Sequence, residues 1–420
     1  MSEMKKLEPQ MNADGHRLNS FMEKLLDGVE VEWKSLGEVI EPRRGRRLVR
    51  SQLQGTGKYA VYQNSMKPLG YYEEANVQGD TTFLICAGAA GDIGYSATSF
   101  WAADDVYYFS KNDQVNSKFL YHFLLTKQSL IYSHVRRASI PRLSKSGFEK
   151  IQIPIPPLHV QKEIVRILDT FTELTTELTT ELTNRKKQYN HYRDQLLSFE
   201  DGEGTTKNTK NTKGKKVEWK TLGEVAIFQN AKPHEKLVSI DGDIALLTAG
   251  YISSEGRSLR LVRRVDVLTP AFRNDVALVM SDLPNGKALA KTFFVQESDC
   301  FAANQRVCLL RVRDPEQYVP KFLHYVMNRN RQLLAYDSGY DQTHLKKDWI
   351  LEVKIPVPPL AEQARIVAIL DKFDTLTHSI SEGLPREIEL RQKQYEYYRN
   401  LLLSFPKPEE VTTKSTKSTK

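Results

Sequence analysis

The chain has 420 residues, 40% of them hydrophobic and 27% charged, with a net charge of +8. At about 100–200 residues per domain, that length excludes a single small module, and the composition excludes a disordered, collagenous or membrane-spanning chain. The charge is weak evidence for a nucleic-acid partner: five lysines against two acids in 201–216 and four against two in 406–420 supply +3 and +2, leaving the remainder near +3.

In chain order, residues 1–30 lack the apolar run of a secretory signal and are expected to pack near the C-terminal conserved region. Cys86, Cys300 and Cys308 form no CxxC pair, so a reducing, cytoplasmic location with no membrane partner is expected. The block VEWKSLGEV at Val31–Val39 opens a mixed globe expected over 31–157. It is followed by Arg43, Arg44, Arg46, Arg47 and Arg50, an arginine cluster expected on a loop. Guanidinium groups fork phosphates and guanine edges, so the cluster suits DNA, although a charge run is also compatible with a plain solvated surface. Gln63, Asn64 and Lys67 interleave amides that can address adenine with a phosphate-seeking lysine. A β-run is expected over Thr81–Cys86, the Gly88, Gly91 and Gly94 spacing is expected to form a turn, and a helix is expected near Lys118–Thr126. Arg136, Arg137 and Arg142 complete the first set of candidate DNA contacts.

Pro156-Pro157 cannot sit inside a helix but can precede its first turn. From Leu158 apolar residues recur at spacings of three and four through three tandem TELT units, Thr172–Thr183, predicting one helix of about 42 residues or ~63 Å over the 158–200 region. Leu174, Leu178, Leu182, Tyr189 and Tyr192 lie on its candidate partner-binding face. A Lys/Thr-rich linker is expected at 201–216, followed by a second globe over 217–359. Its candidate contacts are Gln229, Asn230, Lys232, Tyr251, Gln305, Arg306, Gln342, His344, Lys346 and Lys347, with a strand over Asp275–Met280 and a helix near Lys321–Asn328. A second helix is expected over 360–405, kinked or interrupted at Gly383-Leu384-Pro385 and carrying Tyr395 and Tyr398 as further partner contacts. A flexible tail is expected over 406–420.

The chain is written twice. VEWKSLGEV returns as VEWKTLGEV at an offset of 186, IPIPPLHVQKEIVRILDTF as IPVPPLAEQARIVAILDKF at 202, and RKKQYNHYRDQLLSF as RQKQYEYYRNLLLSF at 206. A weaker echo pairs Trp101-Ala102-Ala103-Asp104 with Phe301-Ala302-Ala303-Asn304. A period near 200 implies two similar halves about a pseudo-two-fold axis. The expected fold class is α+β: two similar mixed α/β globes separated by two long antiparallel helices. No P-loop, dinucleotide fingerprint or HExxH is present. Asp104-Asp105 faces Asn304-Gln305 in the second half, which could not perform the same acid–base chemistry. Three readings stay open from the residues: a DNA-reading subunit, a stand-alone modifying enzyme or nuclease, and a helical scaffold without DNA contact.

The duplicated VEWK block, the IPxPPL…Q…IV.ILD.F block, the TELT tract, GLPREIELRQKQYEYYR and the double LLSF resemble the specificity (S) subunits of type I restriction-modification systems, IC-like group, over nearly the whole chain. The resemblance implies two target recognition domains, each reading half of an asymmetric split site in double-stranded DNA, and conserved helices that space them and dock two methylation (M) subunits. It implies recruitment of restriction (R) subunits. It also implies that this chain is not an enzyme and holds no cofactor, the S-adenosylmethionine, ATP and Mg2+ being expected in partner subunits of a DNA adenine methyltransferase and ATP-dependent endonuclease.

Overall fold

A computed structural model of the chain describes residues 24–26, 29, 31–137, 139–199, 217–283, 286–378 and 383–406. The expected linker at 201–216, nearly all of the 406–420 tail and most of the 1–30 segment lie outside them. Five helices of eight or more residues occur among the described residues: α1 (Ser117–Thr126), α2 (Leu158–Leu196), α3 (Pro320–Met327), α4 (Leu360–His378) and α5 (Gly383–Leu402). None is long and apolar enough to cross a membrane.

The chain forms two compact units, and neither coincides with a globe alone. Unit 1 takes the residues up to Leu178 together with those from Ile388, and unit 2 takes Thr179–Glu387. The difference from boundaries drawn at the Pro-Pro pairs has a packing cause. Val160, Ile164 and Leu168 of α2 are buried in the core of the first globe with Phe119, Phe123 and Phe148, and Ile366 and Leu370 of α4 are buried in the second with Phe322 and Leu323. An apolar helical face of this width is stable only when covered, and the globe covers it.

In unit 1, β1 (Glu32–Ser35) pairs antiparallel with β6 (Gln152–Ile155), so the globe's entry and exit are stitched side by side. The four-stranded sheet has the order β2 (Pro42–Arg44), β5 (Val106–Phe109), β3 (Thr81–Ile85), β4 (Ile93–Ser96), with every pairing antiparallel. Unit 2 repeats the plan: β7 (Glu218–Thr221) pairs with β12 (Lys354–Val357), and its sheet runs β8 (Ala226–Asn230), β11 (Val307–Val312), β9 (Val276–Val279), β10 (Thr292–Phe294). The single change between the VEWK blocks preserves a function. Ser35 and Thr221 each cap a one-turn helix whose third residue, Glu38 or Glu224, accepts from the cap's backbone N–H. Hydrogen bonds from the cap residue hold both carboxyls below the usual glutamate range.

The repeat extends to buried polar contacts. In unit 1, Gln161 Oε1 accepts from the Asn116 backbone while its Nε2 donates to the Gln114 and Pro156 carbonyls. In unit 2, Gln363 binds the Val319 backbone and the Gln317 and Pro358 carbonyls in the same way. Both glutamines are fully buried. They account for the shared Q in the two PPL blocks: each fastens a long helix to its globe. Gln161→Leu strands one N–H and two carbonyls away from water and is expected to destabilise unit 1 by about 3 kcal/mol or more, seen as a lowered melting midpoint for that unit.

Lys118 and Lys321 pair with Asp169 and Asp371 at 2.7 and 2.9 Å. Phe171 stacks on Tyr398 in unit 1, and its counterpart Phe373 meets Tyr192 in unit 2, with centroids 5.1 and 5.6 Å apart. Residues low in α2 thus meet the end of α5, and residues high in α2 meet α4, the antiparallel sense. The LLSF ends follow suit: Leu402, Leu403 and Phe405 pack in unit 1, where Leu25 and Leu26 join them, and Leu196, Leu197 and Phe199 pack in unit 2.

Two local expectations are corrected, and a third is met. The first long helix ends at Leu196, three residues short of Phe199. The second is interrupted where its Gly-Leu-Pro predicts: α4 is described to His378 and α5 from Gly383 (φ +76°), whose Cβ would lie 2.5 Å from the Thr375 carbonyl oxygen, and Pro385 sits in the first turn of α5, where its missing N–H costs nothing. Gly88 and Gly91, with φ of +80° and +98°, do make the turn between β3 and β4, but Gly94 lies within β4 itself.

His122 of α1 is fully buried, its Nδ1 2.8 Å from the Tyr395 hydroxyl and its Nε2 3.6 Å from Asp169, near Lys118 and Arg399. Burial pushes its pKa down to about 4, the Asp169 carboxylate opposing without offsetting it. The unfolded chain takes up this proton near pH ~6.5 while the folded chain does not. The contribution to stability is therefore complete above that value and declines as the pH falls toward the folded-state value. The melting temperature of the full chain is expected to fall between pH 7 and 5, with a shallower fall in His122→Asn.

Candidate nucleic-acid interface

Arg43 and Arg44 lie on β2, the edge strand of the first sheet, rather than on a loop; Arg46 and Arg47 follow on the loop. Gly45 makes the step between them possible, since a Cβ there would sit 2.2 Å from the Ala103 carbonyl oxygen. Its N–H donates to Val106, Arg46 N–H donates to Ala102, and Arg44 Nε donates to the Asp104 carbonyl at 2.6 Å. The cluster is thereby laid along residues 102–106.

The same end of unit 1 gathers the other candidates. Asn64 O accepts from Ala89, Gly88 donates to the Pro141 carbonyl, Ala87 bridges to Arg142, and Arg142 bridges to Arg136. Cys86 donates its N–H to Asp105, and burial, against the nearby Arg44 and Arg142 guanidinium groups, raises its thiol pKa to about 11, so it is no nucleophile at neutral pH. The side chains of Arg43, Arg46, Arg47, Arg136, Arg137 and Arg142 are exposed and make no hydrogen bond or ion pair among the described residues. Lys67 is exposed nearby in sequence to Asn64, while Gln63 is half-buried. An edge with six unpaired guanidinium groups is a surface suited to a polyanion.

In unit 2 the sheet register puts different side chains on the same positions. Arg43 faces Tyr108 and Arg44 faces Tyr107; on the matching edge strand Gln229 faces Leu309 and Asn230 faces Cys308. Gln229 and Asn230 thus occupy the sites of Arg43 and Arg44, and both are exposed. The parallel pairings Tyr62–Ala102 and Leu247–Ala303 correct the sequence echo by one residue. With Cys86 bonded to Asp105 and Met280 to Arg306, the counterpart of Asp104-Asp105 is Gln305-Arg306 rather than Asn304-Gln305.

The remaining candidates of unit 2 have the following surroundings. Gln342 Nε2 donates to Ser281 Oγ at 2.9 Å, and Ser281 pairs with His344, the position of Arg142 in unit 1. Lys346 lies over the Trp349 ring and Lys347 over Phe228. Lys232 is held through its backbone by Thr269 Oγ1 and by His234. His234 is fully buried, and its Nε2 accepts from the Leu268 N–H, so the ring is neutral with its proton on Nδ1, directed at the Lys232 carbonyl. Tyr251 is placed differently from expectation: its ring is half-buried in an aromatic cluster with Phe293 and Phe301.

Sequence reasoning passes over Glu235 and Arg260, which with Thr248, Asn304 and Arg306 line an open cleft of about 300 Å3 on unit 2. No local signal marks Glu235; its meaning depends on residues about 70 positions away.

On the helices, Leu174 is 40% exposed and Leu178 and Leu182 are half-buried. Tyr189 and Tyr398, expected as partner contacts, are 4% and 2% exposed, so they serve the chain's own packing. Tyr395 is half-buried against His122, whereas Tyr192 remains 39% exposed.

A family model described as type I restriction modification DNA specificity domain matches residues 28–187 and 214–390. The chain is 35% identical to the EcoR124I/EcoR124II specificity subunit of Escherichia coli over 94% of its length and 99% of that protein. It is 33% identical to a putative type I restriction enzyme specificity subunit of Haemophilus influenzae, over 92% and 98%. Among solved structures, the type I restriction-modification S subunit from M. genitalium superposes with a TM-score of 0.58 at 16% identity, covering 91% of this chain and 98% of that one.

Proposed function

The chain belongs to the DNA specificity subunits of type I restriction-modification systems, the non-catalytic members of their complexes, and on that premise we propose that its two units read the two unlike halves of one bipartite site in double-stranded DNA. One observation carries this reading: a single scaffold is used twice, and at matched edge-strand positions it presents Arg43-Arg44 in one unit and Gln229-Asn230 in the other. Arginine pairs bidentately with guanine and with phosphate, and glutamine and asparagine pair with adenine, so equivalent placement of these groups addresses different bases. The helices α2, α4 and α5 set the separation of the half-sites and dock two methylation subunits, for which Leu174 and Tyr192 offer exposed apolar surface. S-adenosylmethionine belongs to those methylation subunits, which modify adenine. ATP and Mg2+ belong to the restriction subunits that join them.

Selection from a random duplex pool by the full chain, co-purified with its methylation subunits, tests the reading. Sequencing of the bound DNA is expected to yield two dissimilar short motifs at a fixed gap. A single contiguous motif or a palindrome would contradict it.

A further inference from the structure

Glu235 is an anomaly on a face meant for a polyanion. It opens a short 3-10 turn whose preceding residue, His234, is locked by three hydrogen bonds: its N–H to Asn304 Oδ1, its Nδ1 to the Lys232 carbonyl, and its Nε2 from Leu268. The exposed carboxylate is held on one side. Asn304 Nδ2 and Gln305 Nε2 both donate to Oε1, at 2.8 and 3.1 Å, while Oε2 has no hydrogen-bond partner among the described residues. Arg260 and Arg306 line the same cleft; among the described residues neither comes within ion-pair distance of Glu235, on which the Arg260 charge acts from further away. Against the cost of desolvation, hydrogen bonds from Asn304, from the residue's own backbone N–H and from Gln305, with the Arg260 charge, hold the Glu235 carboxyl below the usual glutamate range, so the group is ionised at neutral pH.

A phosphate cannot be the partner of an ionised carboxylate, since like charges repel. A base edge with a hydrogen-bond donor can be. In the major groove, adenine offers its N6 amino group beside the N7 acceptor, which a carboxylate meets unfavourably, whereas cytosine offers the N4 amino group with no acceptor beside it. The guanine opposite presents two acceptors, N7 and O6, which suit a guanidinium group.

Resting on the two-unit reading above, we propose that Glu235 is a specificity-determining residue of unit 2, its Oε2 accepting from the N4 amino group of one cytosine, with Arg306 reading a guanine in the same half-site. Asn304 and Gln305 are positioning residues that orient the carboxylate and leave one oxygen for the base.

The test is the same duplex selection, run with the full chain and its methylation subunits as wild type, Glu235→Gln and Arg306→Gln. Wild type is expected to fix at least one C·G pair in the half-site assigned to unit 2. Glu235→Gln is expected to lower the preference for that cytosine by about tenfold or more, because an amide can turn either an acceptor or a donor to the base, and to leave the other half-site unchanged. Arg306→Gln is expected to relax a guanine in the same half. An unchanged motif in either variant overturns the inference alone, and so does an equal loss in both half-sites of Glu235→Gln, which would make Glu235 a fold residue. Absence of any two-part motif in wild type overturns the underlying reading as well.

Discussion

Replacing Arg43, Arg44, Arg46 and Arg47 together with alanine is expected to weaken binding of the assembled complex to its DNA by about a hundredfold or more near physiological salt. Each arginine that neutralises a phosphate releases condensed counterions on binding, so the slope of log affinity against log salt should flatten by up to ~0.9 for each phosphate left without its arginine. Arg43, Arg46 and Arg47 are exposed and unpaired among the described residues, and Arg44 commits its Nε to the Asp104 carbonyl, which orients its remaining donors. The fold is expected to survive, because the structural fit here comes mainly from Gly45 and backbone hydrogen bonds, with the Arg44 Nε bond to the Asp104 carbonyl as the guanidinium contribution among the described residues. Affinity titrations at several salt concentrations check both numbers. An unchanged slope would mean that these arginines face solvent and nothing else.

The second large effect concerns the TELT tract. It lies wholly within α2, with Thr175, Thr176 and Thr183 bonding back to carbonyls four residues earlier and Glu181 pairing with Arg185 at 2.7 Å. The threonine back-bonds lie within the repeat, whereas the Glu181–Arg185 pair closes its end once, so one more unit can be inserted while keeping the same local helical contacts. Four residues add about 6 Å of helix, close to the rise of two base pairs at ~3.4 Å each. An inserted unit is expected to lengthen the accepted gap between half-motifs by one or two base pairs while both motifs stay the same. Duplex selection with gaps of every length between the two halves measures it.

Much of this organisation is legible in the sequence because the connecting segments of the two halves remain similar while the reading surfaces diverge. The VEWK and PPL blocks announce β1, β6 and their copies, and the matched Gln161 and Gln363 mark the fastening of helix to globe. The offset of 186 also carries Arg43-Arg44 onto Gln229-Asn230 correctly. The one-residue error at 101–104 arises because similarity of small residues is matched where sheet register decides, and register is a long-range property. Tyr189 and Tyr398 mislead for a related reason: the apolar stripe on a helix does not say whether its cover is another part of the same chain or a partner. Glu235 is invisible in the sequence because its role is made by Asn304 and Gln305, far away along the chain.

The central claim, that each unit reads its own half-site independently, is tested most directly by exchange. Since β1 and β6 run side by side, residues 31–157 enter and leave the fold at one place and can be replaced by the equivalent segment of another specificity subunit. Duplex selection with the hybrid chain should then return new bases in one half-motif, the original bases in the other, and an unaltered gap. A hybrid that folds and binds DNA but changes both halves, or neither, would contradict the account.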